Sequence, residues 1–163
     1  MSPQDVKLPV LKNPKILVEK SARRLSVFDG SAFVKSYRVA LGWGAGDKVR
    51  EGDGCTPEGK FYICVKNPGS RYHLSLGLSY PDIEDAERGL RDALIDRQEY
   101  QRIVDAVSQK AIPPWKTPLG GEIMIHGHGA ERDWTAGCVA MADADVEELY
   151  NALPVGAPVE IVP

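Results

Sequence analysis

The first half of the chain is a series of short segments that are either apolar or alternate between apolar and polar residues. Residues 24–28 end at an Asp-Gly pair, which favours a tight hairpin turn. Residues 67–70 contain Pro68 and Gly69, which predict a break in the strand before them. The pattern predicts five strands in this half, at residues 16–19, 24–28, 32–40, 60–65 and 72–80.

The periodicity changes between residues 82 and 110, where charged residues become frequent and β-branched residues become rare. Apolar residues at 100, 103, 104 and 107 repeat at helical spacing, and Asp96 stands where an N-cap is expected. A weaker helix is predicted at residues 83–90, ending near Gly89. We interpret residues 82–117 as a helical insertion between two strands. It is either a packing hairpin or a wall over a cleft, because long inserted connections often carry function.

The last part of the chain returns to strand patterns. Residues 122–126 form a predicted strand that leads into glycines, and residues 130–137 form a loop. Asp143 is the predicted N-cap of a helix that extends to about residue 152. Residues 158–162 form the final predicted strand.

Length and composition fit one folded domain. The chain has 163 residues, of which 43% are hydrophobic, enough to bury a core. Three prolines indicate an extended lead-in over residues 1–14, which leaves residues 15–163 as the domain. With a net charge of −3, the chain lacks the strongly basic surface that a nucleic-acid-binding protein needs. No apolar stretch is long enough to span a bilayer, and 3 cysteines are too few for a disulfide scaffold.

One cysteine and one histidine have the setting of a nucleophile and its base. His126 closes a predicted strand, and Cys138 follows Gly137 in a loop twelve positions later. A cysteine nucleophile needs a neighbouring base, a lowered thiolate pKa and N–H donors for the oxyanion. No Asp or Asn lies beside the histidine, so a backbone carbonyl, from Gly127 or a nearby strand, is expected to hold the imidazole. A cysteine and a histidine are also common core residues, so the pattern alone leaves both interpretations open.

The residues around this pair resemble a known signature. Residues 125–127 (IHG) and 135–141 (TAGCVAM) resemble the L,D-transpeptidase catalytic domain, the YkuD family, whose pattern is His-Gly followed by Ser/Thr-x-Gly-Cys and an aliphatic residue. The resemblance covers roughly residues 16–162, and the helical insertion resembles one bacterial subgroup. The supporting segments are residues 25–28, 39–42, 52–54, 56–61, 118–121 and 133–135.

The resemblance implies a mainly β fold, with a sandwich-like or barrel-like sheet, the helical insertion and a helix after the catalytic cysteine. It implies that Cys138 attacks the L–D peptide bond after the third residue of a peptidoglycan tetrapeptide stem and releases D-alanine. His126 would act as base and acid, with Gly127 as its backbone partner. Gly137, Cys138 and Val139 would supply the oxyanion hole. An amine, usually that of diaminopimelate, would resolve the acyl-thioenzyme as a 3–3 crosslink.

The resemblance leaves the acceptor open. Free D-amino acids or an outer-membrane lipoprotein would serve as other amines, and water would make the enzyme an L,D-carboxypeptidase or an amidase. Carbapenems usually acylate the same cysteine, and no cofactor is implied. The implied location is the periplasm or cell envelope, in cell-wall biogenesis and cell shape, although the chain as given starts without a secretory signal. A non-catalytic wall-binding module is the alternative from another class.

The remaining polar and aromatic residues give weaker expectations. The pattern favours His73 as a half-buried strand residue over a cleft-lining one, and Trp134 is equally a packing residue or a wall of the cleft. A zinc site that adds His128 and Asp133 to the Cys–His pair is less favoured, because two glycines interrupt that strand, so no metal is predicted. The residues predicted to bind substrate are Tyr72, His73, His128, Trp134 and Thr135.

Two features of the sequence stay open. Many relatives have Arg two places after the nucleophile, where this chain has Ala140, so the role of that Arg must be filled elsewhere or be absent. The candidates for a cation that would replace this Arg are Arg71, Arg132 and Lys116.

Cys55 and Cys64 are the remaining cysteines, and they would be able to pair only in an oxidising compartment.

Overall fold

A computed structural model describes residues 6–163, which form eight strands and three helices. The strands are β1 (Pro14–Glu19), β2 (Arg24–Asp29), β3 (Ala32–Arg38), β4 (Gly59–Ser70), β5 (His73–Leu78), β6 (Met124–His126), β7 (Val139–Ala140) and β8 (Pro158–Val162). The helices are α1 (Ile83–Arg91), α2 (Arg97–Ser108) and α3 (Asp143–Ala152).

The eight strands form one curled sheet in the order β3-β2-β1-β8-β4-β5-β6-β7. The pairs β1–β8 and β6–β7 are parallel, and the other neighbours are antiparallel. The last strand, β8, therefore lies between β1 and β4 and joins the two halves of the sheet. The mainly β fold that the sequence predicts is confirmed, with the predicted helix after the cysteine as α3.

The alternating pattern of β1 explains why the centre of the sheet is stable. Ile16 and Val18 are fully buried, and their neighbours along the strand are more exposed. Ile16 lies between Val27 of β2 and Val159 of β8, so three apolar side chains form one layer across the sheet. Burying each such side chain contributes about 1.5–3 kcal/mol. This layer anchors the half of the sheet that does not carry the cysteine.

Several predicted strand ends are wrong, and β4 and β6 show the reasons. β4 continues through residues 67–70, because Asn67 pairs with Ser75 and only the register shifts around Pro68. The predicted strand at 122–126 begins only at Met124, because Glu122 has a φ of 56°, outside the strand region. The final strand at 158–162 and the hairpin turn after β2 are confirmed.

The insertion is a helical hairpin with its own small core. Asp96 caps α2 as predicted, in a capping box with Glu99. The predicted helix at residues 83–90 is present as α1, and its Gly89 packs closely on Leu119, since a Cβ there would come within 2.7 Å of the Leu119 side chain. The apolar residues of the two helices pack with Leu119 in a cluster separate from the main core. The hairpin is therefore a packed unit, as one of the two interpretations of residues 82–117 requires.

The start of α3 differs from the prediction in a way that concerns the site. Its N-cap is Ala142, and Asp143 is the first residue of the helix. The Asp143 carboxylate accepts a hydrogen bond from the backbone N–H of His128 at 2.8 Å, so it fixes the loop after β6 instead of capping the helix.

The part of the predicted lead-in that the structure describes, residues 6–13, contains no helix or strand, and residues 1–5 lie outside the described residues. Leu8 and Leu11 pack against the main core. Within residues 6–163, no helix combines the length and the apolarity needed to cross a membrane.

Candidate active site

Two short parallel strands bring the cysteine beside the histidine strand. Ile125 of β6 pairs with Val139 of β7, and His126 pairs with Ala140. This register places Cys138, the residue before β7, level with Met124. The backbone N–H of Met124 donates to the Cys138 Sγ at 3.4 Å, and the thiol donates to the Glu122 carbonyl at 3.5 Å. The cysteine therefore lies beside the Met124 end of β6, the strand that His126 closes.

His126 is buried and held by a backbone carbonyl. Its Nδ1 lies 2.8 Å from the carbonyl oxygen of Gly127, the contact that the sequence predicts. A carbonyl only accepts hydrogen bonds, so Nδ1 carries the hydrogen and Nε2 of the neutral ring keeps a free lone pair. Burial lowers the pKa of His126, and the contact with the Gly127 carbonyl opposes this only in part. The ring is therefore suited to act as a base at neutral pH.

Aromatic side chains enclose the His126 ring. Tyr72 stacks on it with ring centroids 4.5 Å apart, and Trp134 lies 5.5 Å away. His128 packs edge-on against Tyr72 at 5.6 Å, and it is exposed. The Trp134 indole N–H donates to the Gly129 carbonyl at 3.1 Å. Of the residues predicted to bind substrate, these three are the ones that the structure brings to the histidine.

The segment before the cysteine, which we call the catalytic loop (residues 131–138), is held by Thr135. Its hydroxyl donates to the Cys138 carbonyl at 2.7 Å and accepts from the Gly137 N–H at 3.1 Å. Thr135 is buried, so the structure gives it an internal role instead of the predicted contact with substrate. The Gly137 N–H, a predicted oxyanion donor, is engaged by the same hydroxyl.

The thiol itself is not the preformed thiolate that the sequence argument expects. Burial raises the pKa of the Cys138 thiol, and the Met124 N–H only partly offsets this. Within residues 6–163 its hydrogen bonds go to backbone groups, not to the imidazole. The resting site therefore holds a neutral thiol near a neutral histidine.

A comparison with family sequence models decides where the chain belongs. The model of the L,D-transpeptidase catalytic domain (YkuD) matches residues 13–161, nearly the whole chain. The chain belongs to this family. A search of curated proteins finds no match to this chain.

Solved structures share the fold of this L,D-transpeptidase-family domain. An L,D-transpeptidase from Xylanimonas cellulosilytica has a TM-score of 0.58 at 14% identity, covering 96% of this chain and 63% of that chain. The helical cell shape determining protein Pgp2 from Campylobacter jejuni has a TM-score of 0.62 at 22% identity, covering 97% and 51%. The L,D-transpeptidase LdtMt1 in complex with imipenem has a TM-score of 0.51 at 14% identity, covering 92% and 58%. The chain thus spans about half to two thirds of these proteins.

In this member of the L,D-transpeptidase family, Ala140 has no room for a longer side chain. It is fully buried and exchanges two backbone hydrogen bonds with Ala40, each 2.9 Å long. The three cations suggested as substitutes for an arginine at this place are all exposed: Arg71, Arg132 and Lys116. Sequence analysis missed Arg23, which reaches the catalytic loop through Asp133. No local signal marks it, because 110 residues separate the two partners.

His73 and the remaining cysteines have other partners in the structure. His73 Nε2 lies 2.6 Å from the Glu147 carboxylate of α3, so its ring is engaged beside the site. Cys55 and Cys64 are both free, and the Cys55 thiol donates to the Ala45 carbonyl at 3.2 Å, so the pairing considered from the sequence does not occur. Among residues 6–163, no group of three or more His, Cys, Asp or Glu residues is arranged to hold a metal ion.

The role of Thr135 gives a direct test of the catalytic loop. Thr135→Val removes the hydroxyl and leaves the Gly137 N–H and the Cys138 carbonyl without their partner. Each unpaired buried group costs about 1–3 kcal/mol, so we expect a lower free energy of unfolding in urea. The matched variant Thr135→Ser keeps the hydroxyl and should behave like the wild type. Equal stability of the valine and serine variants would contradict this role.

Proposed function

We propose that this domain is a cysteine-dependent peptidoglycan L,D-transpeptidase. The observation that carries the proposal is the position of Cys138 beside β6, the strand that ends at His126, in a chain that belongs to the L,D-transpeptidase catalytic domain family. The donor would be a tetrapeptide stem, and the acceptor an amine of diaminopimelate type. The substrate and the reaction are part of the proposal and go beyond the family membership of the chain.

The proposed chemistry begins with proton transfer. His126 Nε2 takes the proton of the Cys138 thiol as the sulfur attacks the carbonyl carbon of the L–D peptide bond after the third stem residue. The carbonyl electrons move onto oxygen, where the backbone N–H groups of Cys138 and Val139 are the proposed donors, since Thr135 engages that of Gly137. When the C–N bond breaks, His126 returns the proton to the amine of the leaving D-alanine.

The second half of the proposed reaction uses an amine. An acceptor amine attacks the thioester carbon, loses its proton to His126 and forms a new amide, and the Cys138 sulfur leaves as the thiol. Tyr72, Trp134 and His128 line the approach to the histidine and are the proposed contacts for the stem peptides. A lipoprotein amine is a further proposed acceptor, and a carbapenem would acylate the same thiol.

Hydrolysis is the second candidate function. It is favoured by Ala140, because this buried aliphatic residue offers no cation for the carboxylate of an incoming acceptor. With water in place of the amine, the same thioester would yield a tripeptide, as an L,D-carboxypeptidase does. In either case we place the domain in the periplasm or cell envelope, where peptidoglycan is found.

We propose that the insertion shapes the substrate cleft through the segment that follows its helices, which we call the returning arm. Residues 112–121 lead from the helical hairpin to Glu122, whose carbonyl contacts the Cys138 thiol. Trp115 of this arm packs next to Gly121 and Gly77, beside Met124. Within residues 82–117, we therefore place residues 112–117 of this arm, rather than the two helices, against the substrate.

Product analysis tests these alternatives. We expect incubation with a disaccharide-tetrapeptide to release D-alanine and to give dimers with 3–3 crosslinks, which mass spectrometry distinguishes from tripeptide monomers. Tripeptide without dimers would replace the transpeptidase by the carboxypeptidase. No D-alanine release at all by the wild-type domain would reject both candidates. Metal analysis after chelation, with activity measured before and after, addresses the zinc alternative.

A further inference from the structure

The catalytic loop is tied to a distant turn by one ion pair. Arg23, in the turn between β1 and β2, donates from Nε to Asp133 Oδ1 at 3.1 Å and from Nη2 to Asp133 Oδ2 at 2.6 Å. Asp133 Oδ1 also accepts the backbone N–H of Leu41 at 3.0 Å. One carboxylate therefore joins the β1–β2 turn, the segment after β3 and the loop that ends at Cys138.

We propose that Arg23 is a positioning residue for this site. By holding Asp133, it fixes the catalytic loop in the conformation that presents Cys138 to His126. The measurement of kcat that tests this proposal rests on the proposed function, whereas the measurement of how fast a reagent modifies Cys138 does not.

Three consecutive residues explain how the ion pair acts on the site. Asp133 binds Arg23 and Leu41, Trp134 packs against the His126 ring, and Thr135 donates to the Cys138 carbonyl. Adjacent residues of a chain cannot move independently. A displacement of Asp133 therefore displaces both the aromatic wall of the base and the residue that holds the nucleophile.

The backbone around Leu41 completes this connection. The Thr135 N–H donates to the Leu41 carbonyl at 3.3 Å, and the Trp43 N–H donates to the Thr135 carbonyl at 3.0 Å. The segment that binds the Asp133 carboxylate is thus the same one that pairs with Thr135. Arg23 and Leu41 hold the carboxylate from two sides, so removal of the arginine leaves it with one neutral N–H donor.

The ion pair is better suited to orientation than to global stability. The side chains of Arg23 and Asp133 are 46% and 27% exposed, and exposed ion pairs contribute little to folding. The two parallel hydrogen bonds of a guanidinium on a carboxylate nevertheless fix direction as well as distance. The Arg23 guanidinium also holds the pKa of the Asp133 carboxyl below its usual range, so the charged pair persists at neutral pH. Ala140, buried and aliphatic, supplies no cation to this loop.

The test compares Arg23→Met with Arg23→Lys and with the control Arg24→Met. Arg24 is the neighbouring residue and pairs with Glu19, outside the catalytic loop. For Arg23→Met we expect kcat for D-alanine release to fall roughly 10- to 100-fold, because small misplacements of reacting groups have effects of this size. KM should stay within about twofold, and the thermal midpoint should match that of Arg24→Met. Arg23→Lys, which retains the charge, should recover part of the lost kcat.

A second readout does not depend on the peptidoglycan reaction. The rate at which a small thiol reagent modifies Cys138, followed by peptide mapping, should rise about threefold or more in Arg23→Met, because a loosened loop exposes the thiol. Unchanged modification and unchanged kcat would overturn the proposal, as would a kcat loss that is equal in Arg24→Met. If the wild type releases no D-alanine, the proposed function fails, and the modification rates alone then decide the role of Arg23.

Discussion

Cys138→Ala is expected to abolish D-alanine release from a tetrapeptide, with kcat/KM falling by at least about 10³-fold, the scale of losses on removal of a covalent nucleophile. The reason is that no other group takes over the covalent step. The two remaining thiols are buried elsewhere, with Cys64 on β4 and Cys55 donating to the Ala45 carbonyl. Without the Cys138 sulfur, no thioester forms, and neither an amine nor water has an intermediate to resolve.

The controls for this experiment separate chemistry from folding. Cys64→Ala removes a buried thiol of the same type at a strand position away from the loop and should retain full turnover. Intact-protein mass spectrometry with tetrapeptide should detect an acyl adduct in the wild type and in Cys64→Ala, but not in Cys138→Ala. Undiminished turnover in Cys138→Ala would reject thiol catalysis. A non-catalytic wall-binding module would instead bind the tetrapeptide without forming an adduct in any variant.

Local signals account for the elements that the sequence predicts correctly. The strand at 158–162 alternates between polar and apolar residues, and Asp96 has both the capping side chain and the Glu three residues later. Asp143 also has a capping side chain, although Val146 and not Glu or Gln stands three residues later, and its carboxylate binds the His128 N–H instead. That partner comes from another element through the parallel pairing of β6 and β7. A tertiary contact of this kind leaves no trace in local sequence.

The same distinction applies to the site. The sequence predicts Cys138 and His126 as a pair because their neighbours match a family signature. Thr135 was assigned to the substrate, although its hydroxyl binds inside the catalytic loop, because a sequence does not show which way a loop side chain points. Arg23 was missed altogether, since an ion pair across 110 residues has no sequence spacing to recognise.

The protonation state of the Cys138 thiol also does not follow from the sequence. A catalytic cysteine is expected to have a lowered pKa, but here burial raises the pKa of Cys138 and lowers that of His126. Both shifts favour the neutral forms, so the resting pair is thiol and imidazole. We therefore expect proton transfer to accompany attack on the substrate.

His126→Gln is therefore expected to lower kcat by about 10²- to 10⁴-fold, the usual contribution of a positioned general base. In the wild type, kcat/KM should fall in acid as the imidazole becomes protonated. Because burial lowers the pKa of His126 below its ordinary value, the base form persists to lower pH, and the midpoint of this acid limb should lie below about pH 6.5. Glutamine does not titrate, so the acid limb should disappear in the variant.

The other two histidines decide whether that limb belongs to His126. His73→Gln should retain an acid limb with the wild-type midpoint, since His73 pairs with Glu147 of α3. His128→Gln should retain the limb with a slightly higher midpoint, because the charge of His128 helps to lower the pKa of His126. Modification of Cys138 by iodoacetamide in the free protein should rise with pH to a midpoint above that of a free cysteine, about pH 8.5. A modification midpoint near pH 7 or below would show a preformed thiolate–imidazolium pair. An acid limb that persists in His126→Gln would remove His126 from the role of base.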